Sequence, residues 1–434
     1  MKRPQQPPVS NLPLEKIFEK CPDGYRELAA ELNSRHLHWD EVRRKDLNGA
    51  DPSKVWALMS FLRETNTTSL EIGSISLRYS VIDSFQQSLH EIDLRASGEF
   101  LFNGASDQKM AKRHSVSSIM EEAIASSQIE GAATTTHVAK TMLREGRKPK
   151  NQSEKMIFNN YRTMQFIKEN RDERITPQLI LDVHRIIADD TLDDRSYEGR
   201  FRDTDDIVVQ DSLTGEVFHE PPSSSEIPAL IDSLCDYINS GEFVHPIIKG
   251  IIIHFLIAYI HPFVDGNGRL ARSLQYWYSL RKGYRVFEYL AVSRIIKERR
   301  GNYDRAYLLS ETDGNDVTYF IRYILNCIED SLEEFTSYAE RKNKEYKELM
   351  DAYEGYDLNM RQRAILRDAV SLGEPFSISE VQSSYQVSYQ TATNDVNKME
   401  SLGLLKKYAK DWNRVLYVPR KGIGTGLSSK KKEN

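Results

Sequence analysis

At 434 residues the chain is long for one domain, and its length predicts two or three. Its 39% hydrophobic residues suffice for sizeable cores, while 28% charged residues predict a soluble surface. A formal net charge of −5 excludes a general attraction to nucleic acid or anionic membranes, so any such affinity must come from a local patch. Cys21, Cys235 and Cys327 are far apart and odd in number, without disulfide or metal-ligand spacing, which favours a reducing compartment. Lys2 and Arg3 are followed by Gln and Pro without an apolar run, so no secretory signal is expected. The most apolar segment, 247–260, is too short for a bilayer and contains Lys249 and His254. The expectation is a cytoplasmic globular protein with no membrane partner.

Residues 1–15 are Pro-rich and read as extended or disordered. From about 24 to 103 the apolar spacing is broken, with one clear helix around 53–64 (Val55, Trp56, Leu58, Met59, Leu62). Residues 1–104 are therefore expected to form an N-terminal helical subdomain that packs on the core. At 107–129, Val116, Ile119, Met120, Ala123, Ile124 and Ile129 recur at helical spacing, and Gly131 is a natural C-cap. Ser126 and Glu130, with Ser127 between them, then lie one turn apart on one face. Arg144 to Lys150 reads as a solvated basic connector. Helices follow at about 153–169 and from Thr176-Pro177, an N-cap followed by Pro at N1, with His184 expected to be a satisfied core or boundary His. Ile207-Val208-Val209 and Val217-Phe218 flank turn chemistry at Asp211–Gly215 and predict a hairpin, closed by Glu220-Pro221-Pro222. A helix is expected from about 224 to 239.

The densest chemistry lies at 259–272, Tyr-Ile-His-Pro-Phe-Val-Asp-Gly-Asn-Gly-Arg-Leu-Ala-Arg. An apolar helix runs into it from Pro246 to about Ile260. A second, with Leu270, Leu274, Trp277 and Tyr278 as its buried stripe, leaves it near Gly268. Gly266 and Gly268 let the backbone turn and approach a ligand closely. The start of the second helix offers free N–H groups and a favourable dipole, a ready anion site. Arg269 and Arg272 add fixed positive charge, and Asp265 offers hard oxygen ligands for a magnesium ion carrying phosphates. His261 titrates near neutral pH and can take a proton from a hydroxyl. His254 and His261 are seven apart, but His261 lies past the helix end, which argues against a metal pair.

Beyond the motif, helices are expected at about 292–310 and 316–335, the latter started by Asn315 or Asp316, and then a charged linker helix at 336–352. The stretch 355–420 carries its own pattern: helices at Met360–Leu372 (ending at Gly373), Ser379–Tyr385 and Tyr389–Leu402 (ending at Gly403). Leu404-Leu405 and Val415–Val418 complete it as a two-stranded wing with a basic tip, Lys410–Arg414. This resembles a winged helix-turn-helix, a DNA-reading architecture. Only Lys398 is basic on the third helix's polar face, however, which is thin for phosphate contacts and leaves a protein-contact or spacer role open. The tail 421–434, with Lys430-Lys431-Lys432, reads as disordered.

Residues 261–272 match the Fic signature His-Pro-Phe-x-(Asp/Glu)-Gly-Asn-Gly-Arg-x-x-Arg at every defined position, and the chain is identified as resembling the Fic (Fic/DOC) family. Ser126-x-x-x-Glu130-Gly131 matches the inhibitory motif (Ser/Thr)-x-x-x-Glu-(Gly/Asn) of one autoinhibited class, and Gly199-Arg200-Phe201-Arg202 resembles a stretch often found ahead of the Fic flap. The resemblance implies a mainly α fold: a Fic-type helical bundle over 105–335 with a β-hairpin flap, a linker helix at 336–354, and the winged helix-turn-helix domain. It further implies AMP transfer from ATP, with Mg²⁺, to a Tyr, Thr or Ser hydroxyl of a protein, possibly the chain itself. His261 would be the base and Asp265 the Mg²⁺ ligand. Gly266, Asn267, Gly268, Arg269, Leu270, Ala271 and Arg272 would form the nucleotide-binding run, with Ser126, Ser127, Glu130 and Gly131 inhibitory and Tyr303 a candidate at the base pocket. Three alternatives stand beside it: a DNA-binding regulator with a nucleotide-responsive Fic module, removal of AMP, and transfer of another group.

Overall fold

Capping side chains decide where many of the helices begin. The computed structural model describes residues 2–8, 24–96, 107–210, 214–353, 355–372, 375–411 and 414–420. Cys21, the Pro-rich start beyond residue 8, the hairpin turn Asp211–Leu213, Gly373, Trp412-Asn413 of the wing tip and the tail from 421 lie outside the described residues. The chain divides into two compact units, residues 1–100 with 115–333, and 101–114 with 334–434.

In the first unit, α1 (Tyr25–Ser34), α2 (Trp39–Val42) and α3 (Pro52–Glu64) precede a hairpin, β1 (Thr67–Ile72) and β2 (Ile75–Ser80), and then α4 (Asp83–Leu94). The hairpin is antiparallel, with Thr67 opposite Ser80 and Ile72 opposite Ile75. It corrects the expectation of a purely helical N-terminal region. Next come α5 (Asp107–Ile129), α6 (Thr136–Glu145), α7 (Gln152–Glu169) and α8 (Pro177–Ala188). The side chains of Asp51, Thr135, Asn151 and Thr176 accept first-turn N–H groups of α3, α6, α7 and α8. Two expectations change here. Val116 on α5 is exposed, and α6 fills a stretch that carried no helix prediction.

The expected hairpin is β3 (Val209–Gln210), shorter than its β-prone run and shifted one residue on, and β4 (Val217–His219), one residue longer than its run. Then follow α9 (Ile227–Asn239), α10 (Pro246–Ile260), α11 (Asn267–Arg281), α12 (Val292–Glu298), α13 (Arg300–Thr312) and α14 (Thr318–Tyr353). The expected helix at 292–310 breaks at Arg299, and the expected helices at 316–335 and 336–352 are one continuous element. α10 is apolar all round and buried on every side, the signature of a central helix. Lys249 is tolerated there because Nζ donates to Ser240 Oγ (3.0 Å) and lies 4.5 Å from the Tyr237 ring centre. α11 packs against α10 and buries far more than its predicted stripe, including Arg269, Arg272, Gln275 and Ser279.

A polar clasp joins the N-terminal elements to the α13–α14 junction. Arg63 donates to Asn33 Oδ1 (2.8 Å), Leu37 O (2.7 Å) and the Tyr319 hydroxyl (2.8 Å), and Arg78 donates to Asp313 Oδ1 (2.8 Å). His36 Nε2 meets Asp316 Oδ2 at 2.9 Å, and Asp316 Oδ1 accepts the Thr318 N–H at the start of α14. Burial, then the charge of Asp316, pushes the Asp313 carboxyl up to about 6.

The second unit holds α15 (Met360–Leu372), β5 (Phe376–Ser377), α16 (Ile378–Tyr385), α17 (Tyr389–Ser401), β6 (Leu405–Asp411) and β7 (Arg414–Pro419). The strands form one antiparallel sheet ordered β5-β7-β6, three strands where two were expected. Ser377 and Glu380 make a capping box on α16, and Gly403 takes φ +74° after α17. Lys398 lies 3.2 Å from Asp357, Arg361 2.5 Å from Asp395 and Lys407 3.2 Å from Glu400. Among the described residues no helix is long and apolar enough to cross a membrane.

Removing the guanidinium from the clasp leaves Asp313 and three acceptors buried without it. Arg63→Ala is expected to lower unfolding stability by about 3 kcal/mol, read by urea titration of the fluorescence of neighbouring Trp56. A loss below about 1 kcal/mol, the range of exposed pairs, would contradict the assignment of the clasp as structural.

Candidate functional site

The end of α10 presents carbonyls that no further helical turn satisfies, and the donors that reach them assemble the site. His261 takes φ +49°, a left-handed conformation that ends the helix, while its N–H still donates to Ile257 O. Its ring Nδ1 faces Ala258 O at 3.2 Å. A carbonyl only accepts, so Nδ1 carries the proton and the neutral ring keeps its lone pair on Nε2. Tyr259 O accepts from His219 Nε2 (2.7 Å), His261 O from Arg202 Nε (2.9 Å) and Pro262 O from Arg202 N (2.9 Å). Burial above all pushes the His261 pKa down to about 4, so the ring is neutral at physiological pH.

The loop beyond it is held from inside. Phe263 is fully buried, and its ring stacks on His184 at 3.6 Å. His184 Nε2 donates to Asp265 O (2.9 Å), while Nδ1 accepts the Gly199 N–H (3.0 Å). The expected core His is therefore a strut of this loop. Asn267 accepts from Phe263 N (3.0 Å) and donates to Phe263 O (2.7 Å), so its side chain fastens the loop. This fastening stands beside its expected role toward phosphate. Leu270 and Ala271 are likewise fully buried, and the Leu270 N–H donates to Gly266 O (3.0 Å).

Outward chemistry comes from Asp265, Arg269, Arg272 and Glu130. Asp265 is half exposed (53%), with Oδ1 accepting the Gly266 N–H (2.5 Å) and Oδ2 lying 3.2 Å from Arg269 Nη2. Arg269 runs buried beneath the loop to Ile187 O (3.3 Å). Arg272 meets α5 with Nε on Ser126 Oγ (2.8 Å) and Nη2 on both Ser126 O (2.9 Å) and Glu130 Oε1 (2.8 Å). Behind it the Tyr303 hydroxyl bonds His254 Nε2 (2.8 Å), a buried core arrangement. Burial works against the charge of Glu130, but Arg272 outweighs it and holds the carboxyl below its usual range. A methyl group built on Gly268 would collide with this carboxylate, so Glu130 sits against the first turn of α11. Gly131 ends α5 with φ +94°, and Ser127 Oγ bonds Ala123 O (2.9 Å), facing α7 instead of the site.

The sequence did not single out His219, and it marked Arg202 only as part of the Gly199–Arg202 stretch, without a partner. Besides the carbonyls above, Arg202 reaches Thr204 O (2.8 Å) and Pro222 O, bracketing both ends of the flap. A buried-looking His at the end of a β-prone run was the available signal for His219.

The Fic/DOC family profile matches residues 174–279, which span α8 through most of α11. These residues form a Fic/DOC domain. The chain is 27% identical over 194 residues to the protein adenylyltransferase Fic of Nematostella vectensis, covering 44% of this chain and 41% of that relative. It is 31% identical over 117 residues to the protein of the same name from Drosophila willistoni, covering 26% of this chain and 22% of the relative. The matches thus span well under half of these relatives. A Fic family protein from Desulfovibrio desulfuricans G20 shares the fold, with a TM-score of 0.54 at 20% identity over 79% of this chain and 98% of that one.

Asn267→Ala removes both bonds to the Phe263 peptide and leaves that peptide buried without partners. The expected cost is about 2–3 kcal/mol in urea unfolding. A change within about 0.5 kcal/mol would contradict the fastening role.

Proposed function

We propose that the Fic domain transfers AMP from ATP to a Tyr, Thr or Ser hydroxyl of a protein, and that Glu130 holds it inhibited. One observation carries the reading. A carboxylate of the chain's own lies against the first turn of α11 and on Arg272, where a phosphate anion of the substrate would sit. Buried N–H groups at Arg269 Nε and Arg272 Nη1, the latter beside the Tyr303 hydroxyl, make no well-formed hydrogen bond and add positive potential there.

His261 Nε2 would take the proton of the target hydroxyl as its oxygen attacks the α-phosphorus. The new P–O bond forms while the bond to the bridging oxygen breaks, and pyrophosphate leaves toward Arg272. The chain's work is positioning: Asn267, His184 and Arg202 fix the loop that carries the base. Asp265 fits a Mg²⁺ that arrives with the nucleotide, being a lone, half-exposed carboxylate in a region where the described residues form no larger ligand cluster. Bound there, Mg²⁺ would neutralise phosphate charge. With Glu130 on Arg272, the γ-phosphate loses its cationic partner and the α-phosphate is misaligned for His261. The three helices and the β5-β7-β6 sheet support reading the second unit as a winged helix-turn-helix module. Lys398, the basic residue on the polar face of α17, is ion-paired to Asp357, which favours a protein contact over DNA phosphates for that helix.

Glu130→Gly is expected to raise self-modification by labelled ATP at least tenfold, and His261→Ala in that background to reduce it by about 10²–10⁴. Mass spectrometry with each nucleotide and Mg²⁺ identifies the adduct. An unchanged rate in Glu130→Gly would refute the inhibitory assignment. Because burial depresses the His261 pKa, its base form persists to about pH 4, so the acid limb of the rate should lie well below 6.5. An acid limb at or above 6.5 would contradict His261 as the buried neutral base.

A further inference from the structure

His219 ends strand β4 of the flap and is buried at the mouth of the site. Both its ring nitrogens meet acceptors: Nε2 faces the Tyr259 carbonyl at 2.7 Å and Nδ1 faces Glu311 Oε2 on α13 at 2.9 Å. A carbonyl and a carboxylate can both be satisfied only by a ring that donates from both nitrogens, the imidazolium form. The Tyr259 carbonyl also belongs to the last turn of α10, where the helix dipole favours a cation. We propose that His219 is a positioning residue of this site: as an imidazolium bridging Glu311 and the end of α10, it fastens the flap and holds positive charge beside His261.

The surroundings agree in sign. Burial disfavours the His219 cation, but the bond to Glu311, with Tyr259 O and the adjacent Glu220, outweighs it and raises the pKa. Around it stand Glu311 from α13, the Tyr259 ring and carbonyl from α10, and His261, which in turn has Arg202 nearby. The positive charge of His219 disfavours protonation of His261 and so helps keep the base neutral. As pH rises through the elevated His219 pKa, the ring loses one N–H and one of its two tethers, so flap anchoring holds below that pKa and weakens above it.

The proposal rests on the transfer reading for its consequence but not for its test. In the full-length chain labelled with [¹³C]histidine, NMR titration reads each ring directly, with His219→Gln and His261→Ala assigning the signals. His219 is expected to titrate above 6.5, Glu311→Gln to lower that midpoint, and His219→Gln to raise the His261 midpoint by several tenths of a unit. A His219 midpoint below 6.5, or an unmoved His261 in His219→Gln, would overturn the proposal. Should His219→Gln fail to fold, Glu311→Gln decides alone, because an unshifted His219 midpoint in that variant is contrary to the bridge. In the Glu130→Gly background, His219→Gln should also move the acid limb of self-modification to higher pH. A purely structural role would lower the rate and leave the limb in place. If transfer itself is absent, the NMR midpoints still decide on His219.

Discussion

A helix that ends inside a protein exposes carbonyls to a medium without water, and each must find a donor. At the end of α10 those donors are the His261 ring, the His219 ring and Arg202, so the same bonds that terminate the helix build the site. This dependence settles the tautomer of His261, the place of the flap strand and the path of the loop together. If His261 acts as the proposed base, a ring aimed by such bonds would need no reorganisation when substrate arrives, which is what a reaction dominated by positioning requires.

The second constraint is charge. Arg272 is buried and stays cationic, so some anion must face it. In this structure that anion is Glu130, delivered by α5, whose axial position is fixed by Glu122 on the Ser293 N–H and hydroxyl and by Asn160 on Ala123 O. Under the proposed function an internal carboxylate and an external phosphate would compete for this one guanidinium, making inhibition and nucleotide binding two occupancies of one anion site. The N-terminal clasp reaches the same region from another side, since Glu311, Thr312 and Asp313 are adjacent in α13 and its end, and touch His219, His38 and Arg78 respectively.

The loop at 261–272 was legible because its chemistry is local: two glycines, a carboxylate and spaced cations within a dozen residues. Glu130 was legible only through the resemblance, since Ser126-x-x-x-Glu130-Gly131 by itself reads as a helix end with a solvated Glu. What stayed hidden depends on partners far along the chain. His184, Arg202 and His219 act on main-chain carbonyls 40 or more residues away, which no spacing reveals. The fastening of the loop by Asn267 also stayed hidden, because an amide suits a phosphate and a peptide equally well and only the packed loop reveals the second use. The β1–β2 hairpin escaped because β1 buries only Ile72, and the alternation of Ile75, Leu77 and Tyr79 in β2 had no readable partner strand. The break at Arg299 escaped because Gly301, two residues on, is tolerated within a helix and so does not by itself mark a boundary.

The account stands on the claim that Glu130 occupies the place of a substrate phosphate. Its most direct test is a crystal structure of the Glu130→Gly chain with Mg²⁺ and a non-hydrolysable ATP analogue. The account predicts the triphosphate along the first turn of α11, the γ-phosphate on Arg272 and the α-phosphorus facing His261 Nε2. A nucleotide bound elsewhere, with Arg272 still turned to Ser126 and no phosphate near it, would contradict it.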